Sequence, residues 1–214
     1  MYARVTHFQG SPERVDEGIQ AFQKHATPAV QRQPGFQGAY VLIDRASGKG
    51  LAISFWETEA ALTASEAVVR TVREQSLRAF GGTATPTTER YDVAVQAAGP
   101  ARSADTGGAR LVARVTVGQA PLEQMQNLIR LYREQVVPLV QRQAGFHHAY
   151  LLTDRQSGKA LALSLWQSRE TLQQIEAALN QARDQLQAQA GQPTPPTTDV
   201  YEVALVRSLL AVGF

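Results

Sequence analysis

Apolar and polar residues change their period along this chain in a fixed order, and the order occurs twice. Tyr2 to Phe8 alternates and is rich in β-formers, which predicts a strand. Ser11-Pro12-Glu13 supplies a cap, a proline at the first helical position and an early acid, and so predicts a helix start. Val15, Ile19, Phe22, Ala26 and Val30 follow at helical spacing, with Pro28 placed to kink the helix or restart it as a second short one. Phe36 to Asp44 and Leu51 to Trp56 read as strands joined by Arg45-Ala46-Ser47-Gly48-Lys49, a hairpin turn in which Gly48 suits a positive φ. A second helix opens at Thr58 and carries Leu62, Ser65, Val69 and Val72, and Tyr91 to Gln96 reads as the last strand.

Slid against itself by 110 residues, the chain repeats this plan without a gap. QRQPGFQGAYVLIDRASGKGLAISFW at 31 to 56 faces QRQAGFHHAYLLTDRQSGKALALSLW at 141 to 166, and about 38 of 96 aligned positions are identical. The first-helix stripe returns as Met125, Ile129, Tyr132, Val136 and Val140, with Pro138 at the site of Pro28. The pattern therefore predicts an α+β fold of two ferredoxin-like βαββαβ repeats, residues 1–96 and 110–207, joined by the Ala- and Gly-rich linker 97–109 and followed by a tail at 208–214. Tyr40, Leu42, Ile53, Phe55 and Val93 put apolar surface on both strand parities. An open sheet face of that kind needs cover, so the two units are expected to pack sheet to sheet as an intramolecular barrel.

Composition narrows the partners. Twenty-one basic and 19 acidic residues leave a net charge of only +2, with no Lys/Arg run longer than two, so phosphate-backbone binding to nucleic acid is not expected. The chain has no cysteine, which excludes disulfides, thiolate metal sites and a cysteine nucleophile and agrees with a cytoplasmic protein. MYARVTHFQG lacks the plan of a signal peptide, and SLLAVGF is too short to span a bilayer, so no membrane association is expected. The four histidines do not recur between repeats, and the adjacent His147 and His148 point to opposite faces of a strand, so no metal site is expected. The turn Asp44-Arg45-Ala46-Ser47-Gly48-Lys49 lacks the spacing of a phosphate loop.

Pro34-Gly35-Phe36 after a late-helix proline, then Ser54-Phe55-Trp56-Glu57-Thr58 with Ala61-Leu62, resembles the antibiotic biosynthesis monooxygenase (ABM) domain of the dimeric α/β-barrel superfamily. Gly145-Phe146, Ser164-Leu165-Trp166-Gln167-Ser168 and Leu172 repeat the resemblance, which spans both copies. It implies an intramolecular version of that barrel and a cofactor-independent oxygenation of a small aromatic or quinol-like substrate in a sheet–helix cleft. Such a site needs an apolar pocket and hydrogen-bond donors for an anionic intermediate. The candidates for that chemistry are His7, Trp56, Trp166, Arg4 and Arg114, with Tyr40, Tyr150, Phe22 and Tyr132 as ligand-binding residues. The aromatics read equally as core anchors, and the arginines as structural partners of Asp44 and Asp154.

The heme-degrading branch of the superfamily is disfavoured. Its asparagine, tryptophan and histidine fall here on Ala3 and Ala113, Ser65 and Ile175, and Gln75 and Gln185. A chlorite-dismutase-like heme site would need a histidine in the second helix, and neither copy has one. A small apolar or aromatic ligand is the expected partner, and further homodimerisation through the helices is compatible with the pattern. The alternative is a ligand-binding or scaffold pseudo-dimer without catalysis. The polar positions that differ between copies, His7 against Val117 and Gln37-Gly38 against His147-His148, place any chemistry where the halves diverge.

Overall fold

In the computed structural model the described residues are 1–82, 84–99 and 111–207. The first repeat forms β1 (Tyr2–Gln9), a short 3-10 turn at Pro12–Arg14, α1 (Val15–Ala21), α2 (Thr27–Gln31), β2 (Phe36–Ile43), β3 (Lys49–Trp56), α3 (Glu59–Ala64), α4 (Glu66–Ala79) and β4 (Thr87–Ala98). The second forms β5 (Val112–Gln119), α5 (Met125–Leu131), α6 (Val137–Gln141), β6 (Phe146–Thr153), β7 (Lys159–Trp166), α7 (Arg169–Gln189) and β8 (Thr197–Arg207). The hydrogen-bonded strand order β1-β3-β2-β8-β5-β7-β6-β4 closes as an eight-stranded α/β barrel, the fold that the strand patterning predicts. Strand β4 runs through Ala97 and Ala98, inside the segment read as linker. Most of that segment, and the tail at 208–214, lie outside the described residues.

The chain divides into two compact units that are not the two repeats: Met1–Arg90 with the segment from Glu202 on, and Tyr91–Tyr201. The last strands are exchanged. Residues Glu202 to Arg207 of β8 pair antiparallel with β2, and Asp92 to Ala98 of β4 pair with β6. Within each unit the remaining strands keep one register at the 110-residue offset, with Arg4 opposite Ser54 and Arg114 opposite Ser164.

Neither proline ends the first helix. A five-residue π-helical turn, Phe22–Ala26, widens the helix just before Pro28, so that the proline enters at the start of α2, where its missing N–H costs nothing. The Thr27 hydroxyl donates to the Phe22 carbonyl at 2.9 Å and ties the turn. The same device recurs at Tyr132–Val136 before Pro138. The hairpin glycine is required as predicted. Gly48 has φ of +74°, and a Cβ there would meet the Gly10 carbonyl oxygen at 2.3 Å.

Each unit buries its own helix–sheet core. In the first, Phe8, Phe22 and Phe80 form a ring cluster with centroids 5.0 to 6.3 Å apart. In the second, Met125, Leu128, Ile129, Leu179, Leu186 and Ala190 take that place.

Candidate functional site

Alternation along β1 sends Tyr2, Arg4, Thr6 and Phe8 to one face of the sheet. That face lies under the helices, as the contact of Phe8 with Phe22 and Phe80 shows. Between sheet and helices each unit keeps a cleft. The first unit's is about 60 Å³ and is walled by Arg4, Thr6, Phe22, Val30, Ser54 and Arg73 among others. The second unit's is about 70 Å³ and is walled by Arg114, Thr116, Tyr132, Val140, Ser164 and Arg183 among others.

Four of these polar positions correspond at the 110-residue offset: Arg4 with Arg114, Thr6 with Thr116, Ser54 with Ser164, and Arg73 with Arg183. This corrects the expectation that chemistry sits where the halves differ, because the cleft's polar groups are among those the halves share. Arg73 and Arg183 are the residues that sequence reasoning missed. Their signal is an arginine recurring at the same point of the second helix, but an arginine on a helix reads equally well as solvated surface. The paired hydroxyls were missed as well: Thr6 lies 3.3 Å from Thr88, and Thr116 lies 3.0 Å from Thr198.

The candidate residues are placed as follows. Arg4 and Phe22 line the first cleft, and Arg114 and Tyr132 line the second. Tyr40 borders the first cleft while its ring meets Phe55 edge-on at 6.0 Å. Tyr150 is fully buried outside the cleft walls and stacks on His148 at 6.1 Å. The tryptophans do not reach either cleft wall. Trp56 and Trp166 are fully buried, each donates its indole N–H to the serine two residues back at 3.0 Å, and each packs against Phe36 or Phe146. His7 alternates to the face opposite Arg4 and pairs with Glu89 at 3.2 Å.

The arginines are not partners of Asp44 and Asp154. Those carboxylates accept from the backbone and serine hydroxyls of their own hairpin turns, in an Asx-type turn. Arg4, only 1% exposed, is instead held through its Nη2, which donates to the Leu62 carbonyl at 2.6 Å and Ser65 Oγ at 3.1 Å. The same atom forms an ion pair with Glu66 at 2.9 Å. Its guanidinium sits 5.5 Å from the centroid of Trp56, a cation–π contact. Burial holds the Arg4 pKa below the ordinary value, with Glu66 opposing and Arg73 and Arg90 adding to the drop.

Arg114 has different partners. Its Nη1 donates to Thr116 and its Nη2 to Asn180 Oδ1, both at 3.0 Å. Burial lowers its pKa too, and here the nearest charge term is the repulsion of Arg183, with Glu176 opposing. Tyr132 stands opposite with its phenol pKa pushed up by burial, against the pull of Arg114. It therefore remains a neutral donor toward the Tyr150 carbonyl at 3.5 Å. Among the described residues no group of three or more His, Asp or Glu side chains could hold a metal ion, and no helix is long and apolar enough to cross a membrane.

A closed barrel of two βαββαβ repeats, each with an apolar cleft under its helices, defines a duplicated α/β barrel, and comparison with known proteins names the family. Residues 1–68 match the antibiotic biosynthesis monooxygenase family, and the chain belongs to it. An uncharacterized protein of Mycobacterium tuberculosis strain H37Rv, Rv2557, is 35% identical over 173 residues, covering 81% of this chain and 74% of that one. Two solved structures are similar along nearly the whole chain. A monooxygenase candidate from Fusobacterium nucleatum has a TM-score of 0.75 at 11% identity, with 97% of this chain and 94% of that one covered. An anthrone oxidase-like protein has a TM-score of 0.68 at 15% identity, with 100% and 96% covered. At such identities these two show the fold alone.

Proposed function

We propose that the chain binds a small, electron-rich aromatic or quinol-like molecule in its sheet–helix clefts and oxygenates it with dioxygen, without metal or flavin. The observation that carries this reading is the combination, in both units, of an apolar cleft with a buried arginine in its wall. A phenol or anthrone becomes reactive toward dioxygen when it loses a proton, and a preorganised guanidinium in a dry cleft stabilises the resulting oxyanion. For an anthrone-type methylene the reaction balances: the carbon loses two hydrogens and gains one oxygen atom of O2, and the other oxygen leaves as water. The fold shared with an anthrone oxidase-like protein supports that substrate class.

A non-catalytic binding role is the second reading. It is favoured by the fact that His7, Trp56 and Trp166 stand outside the cleft walls, so that no histidine lines either cleft to take the proton. Oxygen uptake across a panel of hydroquinones and anthrones separates the two. Turnover that falls at least tenfold when both wall arginines are replaced, in Arg4→Gln with Arg114→Gln, supports the enzyme. Saturable binding of the panel with no oxygen uptake supports the binding role.

A further inference from the structure

In the first unit two guanidiniums face one carboxylate. Glu66 reaches Arg4 through one oxygen at 2.9 Å and Arg73 through the other at 3.5 Å, leaving one positive charge of the three unmatched. All the contacts of Arg4 fall on its Nη2. Its Nε and Nη1 are buried without a hydrogen-bond partner, and so are the Nε and Nη1 of Arg73. Four orphaned guanidinium nitrogens on two residues that both line one cleft are unusual, because buried donors are nearly always paired. The Trp56 face attracts the Arg4 cation but does not satisfy its in-plane N–H groups. Arg207 adds a further cation to the same wall.

The second unit shows what is missing. There Asn180 Oδ1 sits between the corresponding arginines and accepts from Arg114 Nη2 at 3.0 Å and Arg183 Nη1 at 3.3 Å. Arg183 spends its remaining groups on Asp184, and of this pair only the Arg114 Nε stays unpartnered. The residue that corresponds to Asn180 in the first unit is Arg70, an exposed cation that cannot accept a hydrogen bond. The first unit therefore lacks an internal acceptor that the second carries in its own chain.

We propose that the first cleft takes a ligand carboxylate between Arg4 and Arg73, where Asn180 supplies the acceptor in the second, so that the chain binds one small aromatic carboxylate per molecule. A carboxylate suits the geometry because its two oxygens match guanidinium forks, and its negative charge offsets the positive charge left unmatched. Phe22, Val30, Ile53, Val69 and Val72 around the arginines require an apolar body on that carboxylate. This rests on reading the clefts as ligand sites and names the substrate class of the first.

Titration calorimetry on the full chain tests it with benzoate, the neutral isostere benzamide, hydroquinone and inorganic phosphate. Benzoate is expected to bind at one site per chain, about tenfold or more tighter than benzamide. Phosphate, without an apolar body, is expected to bind more weakly than benzoate. Arg73→Gln, and the exposed-site change Arg70→Asn that copies the second unit's acceptor, should each weaken benzoate about tenfold. Asn180→Ala should raise the stoichiometry to two by emptying the second unit's acceptor position. Benzamide or phosphate binding as tightly as benzoate, two benzoate sites in the unaltered chain, or an unchanged affinity in Arg70→Asn would each overturn the carboxylate site. Hydroquinone binding without benzoate binding would overturn it while leaving the proposed function standing, and binding of neither would overturn both.

Discussion

In the first unit the second helix stops at Ser65 and restarts at Glu66, whereas in the second unit α7 runs unbroken from Arg169 to Gln189. At the break Ser65 corresponds to Ile175. The serine hydroxyl bonds back to the Leu62 carbonyl at 2.7 Å, a local competitor to the helix ladder, and Arg4 enters the same carbonyl from the sheet. Isoleucine offers no such bond, so the helix continues and Arg114 must find its acceptors at Thr116 and Asn180. A duplicated arginine in an unchanged strand register thus becomes a bracket for a helix break in one unit and part of a polar wall in the other. Duplication preserved the group, and its neighbours decide what it does.

The units also fill the contact between their helices in opposite ways, which yields the largest expected effect. In the first, Gly18 lies so close to the ring of Phe80 that a Cβ on it would come within 2.2 Å. In the second, the corresponding residues are Leu128 and Ala190, large and small exchanged. Phe80→Ala should cost about 3–5 kcal/mol, the usual range for a fully buried phenylalanine. Gly18→Leu alone should overpack against the ring and cost about 1–3 kcal/mol. If the exchange is compensatory, the double variant restores part of both losses, with a favourable coupling of at least about 1 kcal/mol in urea unfolding. Additive losses would break the comparison.

The next effect belongs to the arginines. Arg4→Ala strands a carboxylate and a broken helix end, and about 3 kcal/mol is expected, the lower end for a broken buried pair because the Glu66 side chain is 33% exposed. Arg114→Ala removes hydrogen bonds to neutral groups only, and about 1–2 kcal/mol is expected. Equal costs would mean that the helix break contributes nothing to the tie at Arg4.

How much of this could be read from the sequence follows from the range of each interaction. The hairpin turns, the Thr58 cap of the second helix and the fused barrel are carried by local chemistry or by period-two burial on both faces, and Gly48 or Tyr40-Leu42 announces them. The Ser11 side chain, expected to cap the first helix, instead makes no cap hydrogen bond and precedes a 3-10 turn. The exchange of β4 and β8 was not legible, because a strand's pattern states which face is buried and not which edge it joins. The cleft was half legible. Arg4 and Phe22 could be nominated by residue type, but Arg73 looks like any exposed helix arginine until the sheet beneath it is known. Trp56 and Trp166 misled for the complementary reason: size and recurrence mark core anchors and ligand walls alike.

Acid sensitivity should divide the units next. His147 is buried and His148 half-buried, desolvation holds both pKa values below that of an ordinary histidine, and their counterparts are Gln37 and Gly38, which do not titrate. Both histidines are neutral in the folded chain but protonate freely on unfolding, so the unfolded chain binds more protons below about pH 6.5 and stability falls as pH drops through that value. Each can contribute at most about 1.4 kcal/mol per pH unit, and partial exposure of His148 makes its share smaller. Unfolding free energies compared at pH 7.5 and pH 5.5 should show the loss reduced in His147→Gln. An unchanged pH dependence would place the acid response elsewhere.

The smallest effect concerns the exchanged strands. At equivalent hairpins, Arg45 grips Glu202 of β8 through Nε at 2.9 Å and Nη2 at 3.4 Å and also reaches Asp16 at 2.9 Å. Arg155 makes one contact, to Asp92 of β4, at 3.4 Å. The two-pronged bond to Glu202 raises the Arg45 pKa, with Asp16 assisting. Fork geometry makes a pair stronger, but these groups are part-exposed, so solvent screening keeps Arg45→Ala to roughly 0.5–1 kcal/mol and Arg155→Ala to roughly 0–0.5 kcal/mol. Raising salt to 1 M should narrow the gap, since screening at that strength acts within about 3 Å. A gap that survives high salt would mean that Arg45 works through the packing of its stem on β8 rather than through its charge.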